Sequence, residues 1–157
     1  MKMSDLAGLD SHNNTKTISG LETLLGDVFV TYVKVLNFHW NIKGRRFASL
    51  HEFLEEQYKY LAETSDEIAE RIRVFDVKAP GSMGEFLNHA SLKESTAHDI
   101  STDDMLSEIS HDYGHIIHHM RTMNESVPEN DYGTHTLLED LITNFEKTRW
   151  MIKSHLE

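Results

Sequence analysis

Only two prolines, Pro80 and Pro128, interrupt this 157-residue chain, so the backbone is free to run through long helices wherever its side chains repeat at the helical period. They do so in four places. Ile18, Leu21, Leu24, Leu25, Val28, Tyr32, Val35 and Leu36 fall at spacings of three and four, which predicts a first helix from Ile18 to about Asn41. Gly44 marks a turn. Phe47 then restarts the pattern through Leu50, Leu54, Tyr58, Leu61, Ile68 and Ile72, a second helix ending near Val74. From Asp76 to Asp99 the Pro80-Gly81 pair, Gly84 and mixed polar residues break the period, leaving a long crossover in which Phe86 and Leu87 predict one short helix. Ser101 or Thr102, followed by Asp103 and Asp104, forms an N-cap with acids in the first turn of a third helix, which runs to about Ser126 before Pro128. A fourth helix, with Thr134 read as its cap, carries Leu138, Leu141, Ile142, Phe145, Ile152 and Leu156. The expected fold is all-α: a four-helix bundle with one long connection that carries a short helix.

Composition narrows the function. At 39% hydrophobic and 26% charged residues the chain suits one domain, expected over residues 18–157, preceded by a polar mobile tail over residues 1–17. Lys and Arg number 15 against 26 Asp and Glu, a net charge of −11, the wrong sign for a body that grips nucleic acid. No cysteine is present, which excludes disulfides, a thiolate nucleophile and cysteine-based metal sites. Any metal must therefore be held by the 11 histidines and by carboxylates. With no apolar leader segment and no membrane-length apolar run, a bacterial cytoplasmic protein is expected.

The second helix carries the densest chemistry. With His51 at 0° and 100° per residue, Glu55 falls at about 40°, Asp66 at about 60° and Glu70 at about 100°, one polar stripe flanking the core face. His39, beside Trp40 at the end of the first helix, is twelve residues before His51, and a tight turn at Gly44 would bring the two imidazoles onto facing helices. His51 and Asp66 are nonetheless separated by roughly 22 Å along the helix axis, far beyond the reach of ligands to one metal site. They cannot serve a single site within one chain. Two copies of this helix lying antiparallel across a two-fold axis would oppose the His51/Glu55 half of one to the Asp66/Glu70 half of the other, making two identical intersubunit sites.

Asn37-Phe38-His39-Trp40, then Gly44, Phe47, Leu50-His51 and Glu55, and the run Asp66-Glu67-Ile68-Ala69-Glu70-Arg71-Ile72 resemble the H-W, G-x-x-F-x-x-L-H and D-x-x-A-E-R-I patterns of the Dps family, the miniferritins of the ferritin-like superfamily. The resemblance covers most of the chain. It implies an intersubunit ferroxidase centre with ligands at His39, His51, Asp66 and Glu70, and with Glu55 at a position that often holds Asp. It also implies a hollow dodecamer that oxidises Fe(II), with hydrogen peroxide preferred over dioxygen, and stores the ferric product, protecting against oxidative damage. Imidazole and carboxylate without thiolate suit iron, with Zn(II) as a competitor.

Other features bear on the same reading. Glu52, Glu56, Glu63 and Glu67 form a second acidic stripe, suited to lining a mineral cavity or to plain solvation. Trp40 and Trp150 match family tryptophans near the ferroxidase centre, where they serve as oxidant traps or as packing anchors. Glu108-x-x-His111 in the third helix is a single Glu-x-x-His, whereas the larger ferritins need two. His111, His115 and His118 fall at about 220° to 280°, away from the apolar face, and read as polar surface or a subunit contact in preference to a dedicated metal site. The resemblance further implies acids near the start of the last helix that line three-fold pores, for which Asp131, Glu139 and Asp140 are the candidates, although the neighbouring Tyr132 and His135 depart from that pattern. A nucleoid-associated protein that coats DNA is the alternative, since some relatives bind DNA through a lysine-rich tail. Here the tail holds Lys2 and Lys16 against Asp5 and Asp10, zero net charge on an acidic body, so DNA binding is not expected at neutral pH.

Overall fold

The computed structural model describes residues 6–96 and 99–157, and every helix anticipated from the sequence is present. The elements in chain order are α1 (Thr15–Asn41), α2 (Phe47–Val74), α3 (Met83–His89), α4 (Thr102–Ser126) and α5 (Tyr132–Leu156). Among the described residues there is no strand. α1 packs along both α2 and α4, α4 packs along α5, and the short α3 lies on α1. Leu21, Leu24, Val28 and Val35 of α1 meet Leu50, Leu54, Leu61 and Ile68 of α2 in a core completed by Ile109, Ile116, Leu138 and Phe145. These recur at intervals of three, four and seven residues, so each helix buries one stripe and leaves most of its charged residues outside.

The helix ends have identifiable causes. α1 starts at Thr15, three residues before the expected boundary at Ile18, because Asn14 is buried and its amide donates to the carbonyls of Gly8 (3.2 Å) and Asp10 (2.8 Å), folding the approach into a turn. Residues 1–5 of the expected mobile tail lie outside the described residues. Gly44 has φ 109°, a conformation that favours glycine, and makes the tight turn from α1 into α2. Ser101 accepts from the Asp104 amide (3.0 Å) and caps α4. The cap of α5 is Asp131, whose Oδ1 accepts from the Thr134 amide (3.0 Å). Thr134, read from sequence as the cap, is instead a buried residue of the first turn whose hydroxyl accepts from Arg71 Nε (2.9 Å).

The crossover is clipped to α1 by one carboxylate. Asp27 is wholly buried and accepts three hydrogen bonds, from the Ser91 amide (2.7 Å), the Ser91 hydroxyl (2.7 Å) and the Leu92 amide (2.8 Å). Each bond to the charged oxygen offsets part of its desolvation. Next to it Gly26 lets the chains touch, since a Cβ there would sit 2.7 Å from both Ala90 N and Phe86 O. α3 is thereby held with Phe86 stacked on Phe29 of α1, centroids 4.0 Å apart.

Candidate metal centre

His39, in the last turn of α1, and His51, in the first turns of α2, form a reciprocal clasp. The imidazole planes stack at 16° with centroids 3.8 Å apart. His39 Nδ1–H donates to the backbone carbonyl of His51 (2.8 Å), and His51 Nδ1–H donates to the backbone carbonyl of His39 (2.8 Å). A carbonyl oxygen only accepts, so each Nδ1 carries a proton and Nε2 is the nitrogen left to bind a metal. That is the tautomer a metal ligand needs, fixed here by the backbone of the other helix. His39 is buried and His51 half-buried. Phe47 stacks on His51 (centroids 4.9 Å) and Tyr58 meets His39 edge-on (5.1 Å), so the clasp is bracketed by rings on both sides.

Glu55 lies one turn beyond His51 on α2. Its Oε1 accepts from Lys59 Nζ (2.7 Å), and that hydrogen bond, reinforced by the lysine charge, holds its carboxyl below the usual glutamate value. It is therefore an anion at neutral pH with one oxygen engaged by Lys59. Asp66 and Glu70 are exposed on the far half of α2. The protomer brings together His39 and His51, with Glu55 adjacent, and leaves Asp66 and Glu70 apart from them. Among the described residues no group of three or more His, Cys, Asp or Glu closes on one point that could hold a metal.

The weaker sequence candidates find other uses. Asp131 is buried and bound by Arg71 (2.6 Å), so it locks α2 to α5 and is not free to line a pore. Glu139 accepts from Asn124 at 3.5 Å, and Asp140 borders a cavity of about 310 Å³ with Tyr60 and Glu67. His111 and His118 are exposed, as the helical wheel predicts. His115 Nε2 is 2.8 Å from the Ser91 hydroxyl, and His119 Nε2–H donates to Gly20 O (3.0 Å). These histidines line grooves and tie elements together. Trp40 and Trp150 are 68% and 65% exposed in the protomer, so neither is a packing anchor within the chain.

Three arrangements were not read from sequence. Lys34 and Asp112 make a buried ion pair between α1 and α4 at 2.6 Å, with side chains 6% and 5% exposed. Asp27 clips the crossover, and Tyr58 faces His39. A signal existed for the first two: Asp27 and Lys34 are seven residues apart, two helical turns, on a face otherwise filled by Leu24, Val28, Thr31 and Val35.

A bundle of four long helices with a short helix in its one long crossover is the ferritin-like architecture, and the ferritin-like domain family matches residues 18–157. The solved structure of the Dps protein from Vibrio cholerae O1, described as a member of a broad superfamily of ferritin-like diiron-carboxylate proteins, covers 94% of this chain and 93% of its own at 32% identity with a TM-score of 0.89. Antigen TpF1 from Treponema pallidum covers 94% and 96% at 28% identity, also with a TM-score of 0.89. The DNA protection during starvation protein of Helicobacter pylori is 33% identical over 142 residues, 90% of this chain and 99% of that protein. The chain belongs to the Dps family of ferritin-like proteins.

Proposed function

We propose that this protein is an iron-sequestering ferroxidase, oxidising Fe(II) with hydrogen peroxide and storing the ferric product inside a dodecamer built from two-fold dimers. The observation that carries the reading is the clasp, which commits both imidazoles to the Nε2 ligand tautomer at the one place where α1 and α2 meet the polar stripe. His39 and His51 would bind Fe(II) through Nε2, and Glu55 would supply a carboxylate oxygen. Asp66 of the partner subunit and Glu70 of the partner subunit would complete the set across the two-fold axis. Nitrogen and hard oxygen donors without sulfur fit Fe(II), with Zn(II) as a competing ion. The overall reaction is 2 Fe(II) + H₂O₂ + 2 H⁺ → 2 Fe(III) + 2 H₂O, so pairing two irons on one peroxide consumes it without releasing hydroxyl radical. The carboxylates offset the charge that accumulates as iron is oxidised.

Among the described residues no helix is long and apolar enough to cross a membrane, and a cytoplasmic site of action fits the iron chemistry. The names of several relatives refer to DNA protection. For this chain we propose protection by removal of iron and peroxide, because a net charge of −11 opposes contact with a duplex.

The test is Fe(II) oxidation under anaerobic conditions with stoichiometric peroxide, followed at the ferric absorption band, and separately with dioxygen. Oxidation is expected to be faster with peroxide. It should be strongly slowed by His51→Ala and unaffected by His118→Ala. A rate no faster than buffer refutes the enzyme reading.

A further inference from the structure

The two oxygens of the wholly buried Asp27 carboxylate in α1 are used differently. Oδ1 accepts the backbone amides of Ser91 (2.7 Å) and Leu92 (2.8 Å). Oδ2 accepts the Ser91 hydroxyl (2.7 Å) and lies 3.7 Å from Nε2 of His115 on α4. The same Ser91 oxygen is 2.8 Å from His115 Nε2. A carboxylate from α1, a hydroxyl from the crossover and an imidazole from α4 thus converge on one small triangle. The circle through the three atoms has a radius of about 1.9 Å, so a point about 1 Å above their plane is about 2.1 Å from all of them. That is the bond length of Zn(II) to imidazole nitrogen and carboxylate oxygen. His111 stands one helical turn before His115 on the same face of α4, with its side chain 78% exposed and free to turn. Both imidazoles and Ser91 line a cavity of about 730 Å³, together with Lys34, Glu108 and Asp112, which gives an ion a way in.

We propose that Asp27, Ser91, His115 and His111 form a second metal site, separate from the histidine clasp, for a borderline divalent cation of the Zn(II) type. Asp27 Oδ2, Ser91 Oγ and His115 Nε2 are three donors already in place, and His111 swings in as the fourth. The Ser91 hydroxyl gives its hydrogen to Asp27, so Nε2 of His115 holds the hydrogen of the bond between the ring and Ser91. The metal takes the place of that hydrogen, and the neutral ring then carries its proton on Nδ1.

Three features favour a cation over a hydrogen-bonded cluster alone. The amides of Ser91 and Leu92 fix Oδ1 and aim Oδ2 at the imidazole, which is how metal-binding carboxylates are oriented. The buried charge of Asp27 has one possible ion-pair partner among the described residues, His115, because Lys34 on the same helix is committed to Asp112 (2.6 Å). Two imidazoles, a carboxylate and a hydroxyl without thiolate suit Zn(II), and Fe(II), lower in the order of divalent affinities, is held less tightly. On the helical wheel His111 and His115 are surface residues. Asp27, which no spacing in the sequence places near them, turns the pair into half of a site. A cation bound there would join α1, the crossover and α4 at one point and hold α3 against the bundle. The inference does not depend on the ferroxidase reading.

The experiment uses full-length His51→Ala protein, which lacks an imidazole of the proposed iron centre, stripped of metal with a chelator and titrated with Co(II) and then Zn(II). One Co(II) per chain is expected, with visible ligand-field bands of the intensity that marks four-coordination, and one equivalent of Zn(II) should displace it. In the same background His115→Ala should abolish the bands, His111→Ala should weaken binding about tenfold or more, and His118→Ala should leave it unchanged. Asp27→Asn, which keeps the shape of the side chain, should also abolish them. Because that variant can loosen the crossover, hydrogen exchange supplies a second measurement: Zn(II) should slow exchange of the Ser91 and Leu92 amides in His51→Ala and have no effect on them in His51→Ala/His115→Ala. No saturable Co(II) binding in His51→Ala, or binding that survives His115→Ala, overturns the site. So does binding unaltered in folded Asp27→Asn, or amide exchange indifferent to Zn(II), since either would leave the cation on a surface histidine pair. Fe(II) oxidation by wild type is a separate result: a rate no faster than buffer refutes the ferroxidase reading and leaves this site standing.

Discussion

The proposed intersubunit centre makes a quantitative prediction that no single-chain site can imitate. Along the uninterrupted helix Phe47–Val74 the fifteen residues from His51 to Asp66 span roughly 22 Å and the nineteen to Glu70 roughly 28 Å. A shared site therefore takes its imidazoles from one chain and its distal carboxylates from the partner. In a His51→Ala homodimer both sites lack an imidazole, and in a Glu70→Gln homodimer both lack a carboxylate. Each variant alone is inactive. In a mixed pair one site carries both lesions and the other is intact, because the Glu70→Gln chain contributes its histidines while the His51→Ala chain contributes its glutamate. Random pairing at equal amounts makes about half of the pairs mixed, and each mixed pair has one intact site of two, so about a quarter of wild-type sites return. Both variants should fold. His51→Ala removes one hydrogen bond and two ring contacts, about 1–3 kcal/mol, against the usual 5–15 kcal/mol of a domain; Glu70 is exposed, so its amide should be nearly neutral. The assay is co-refolding, verification of mixed subunits by native mass spectrometry, and titration of oxidation-competent sites. Zero recovery in verified mixed assemblies refutes the intersubunit centre.

Three further outcomes follow from other contacts. Asp112→Asn leaves the Lys34 ammonium buried without its counter-ion and should cost about 3–5 kcal/mol in urea denaturation, whereas the double variant Lys34→Met/Asp112→Leu should be close to neutral or stabilising; equal losses in both would mean that the pair matters only through packing. Because the hydrogen bond and charge of Lys59 lower the Glu55 carboxyl, the pair's contribution to stability is complete above the unfolded glutamate pKa and is lost as pH falls through the lowered folded value. NMR titration should find Glu55 below 4.5 in wild type and close to 4.5 in Lys59→Ala, and an unchanged titration would remove Lys59 as the cause. Finally, a DNA fragment should not be retarded at neutral pH and ~0.15 M salt, and any association should emerge only on acidification, as the net negative charge falls, and weaken with added salt; tight binding at neutral pH would locate a basic patch that the net charge conceals.

The bundle was legible because helices bury stripes, and a stripe is visible in a periodic sequence. Phe47 and Val74 bound α2 as the apolar repeat does, and Ser101 caps α4 through the bond its position predicts. The cap of α5 was misread because Asp131 and Thr134 are both good cap residues, and the choice between them depends on a tertiary partner. Arg71, sixty residues or more away in the chain, binds both side chains. Asp131 accepts from the Thr134 amide as well, which sets the start of the helix. Gly26 and Asp27 were missed for a related reason. A glycine and an acid within a strongly apolar helix look like defects until the crossover backbone is seen against them.

The candidate centre was legible in its parts and not in its coupling. A helical wheel places His51, Glu55, Asp66 and Glu70 on one stripe, and the Gly44 turn brings His39 beside His51, but no periodicity encodes which ring nitrogen carries a proton. That is decided by two backbone carbonyls, each contributed by the residue whose ring the other histidine contacts. The arrangement is self-referential: moving α1 against α2 lengthens both hydrogen bonds and separates the stacked rings together, so the donor geometry at Nε2 is tied to the packing of the two helices. The glycine turn that permits this approach, and the leucine stripes that hold it, are then as much a part of the centre as its ligands. Packing of α1 on α2 fixes the His39–His51 clasp within each protomer, while Asp66 and Glu70, on an exposed stretch of the same helix, join it only in the proposed centre, across a second copy.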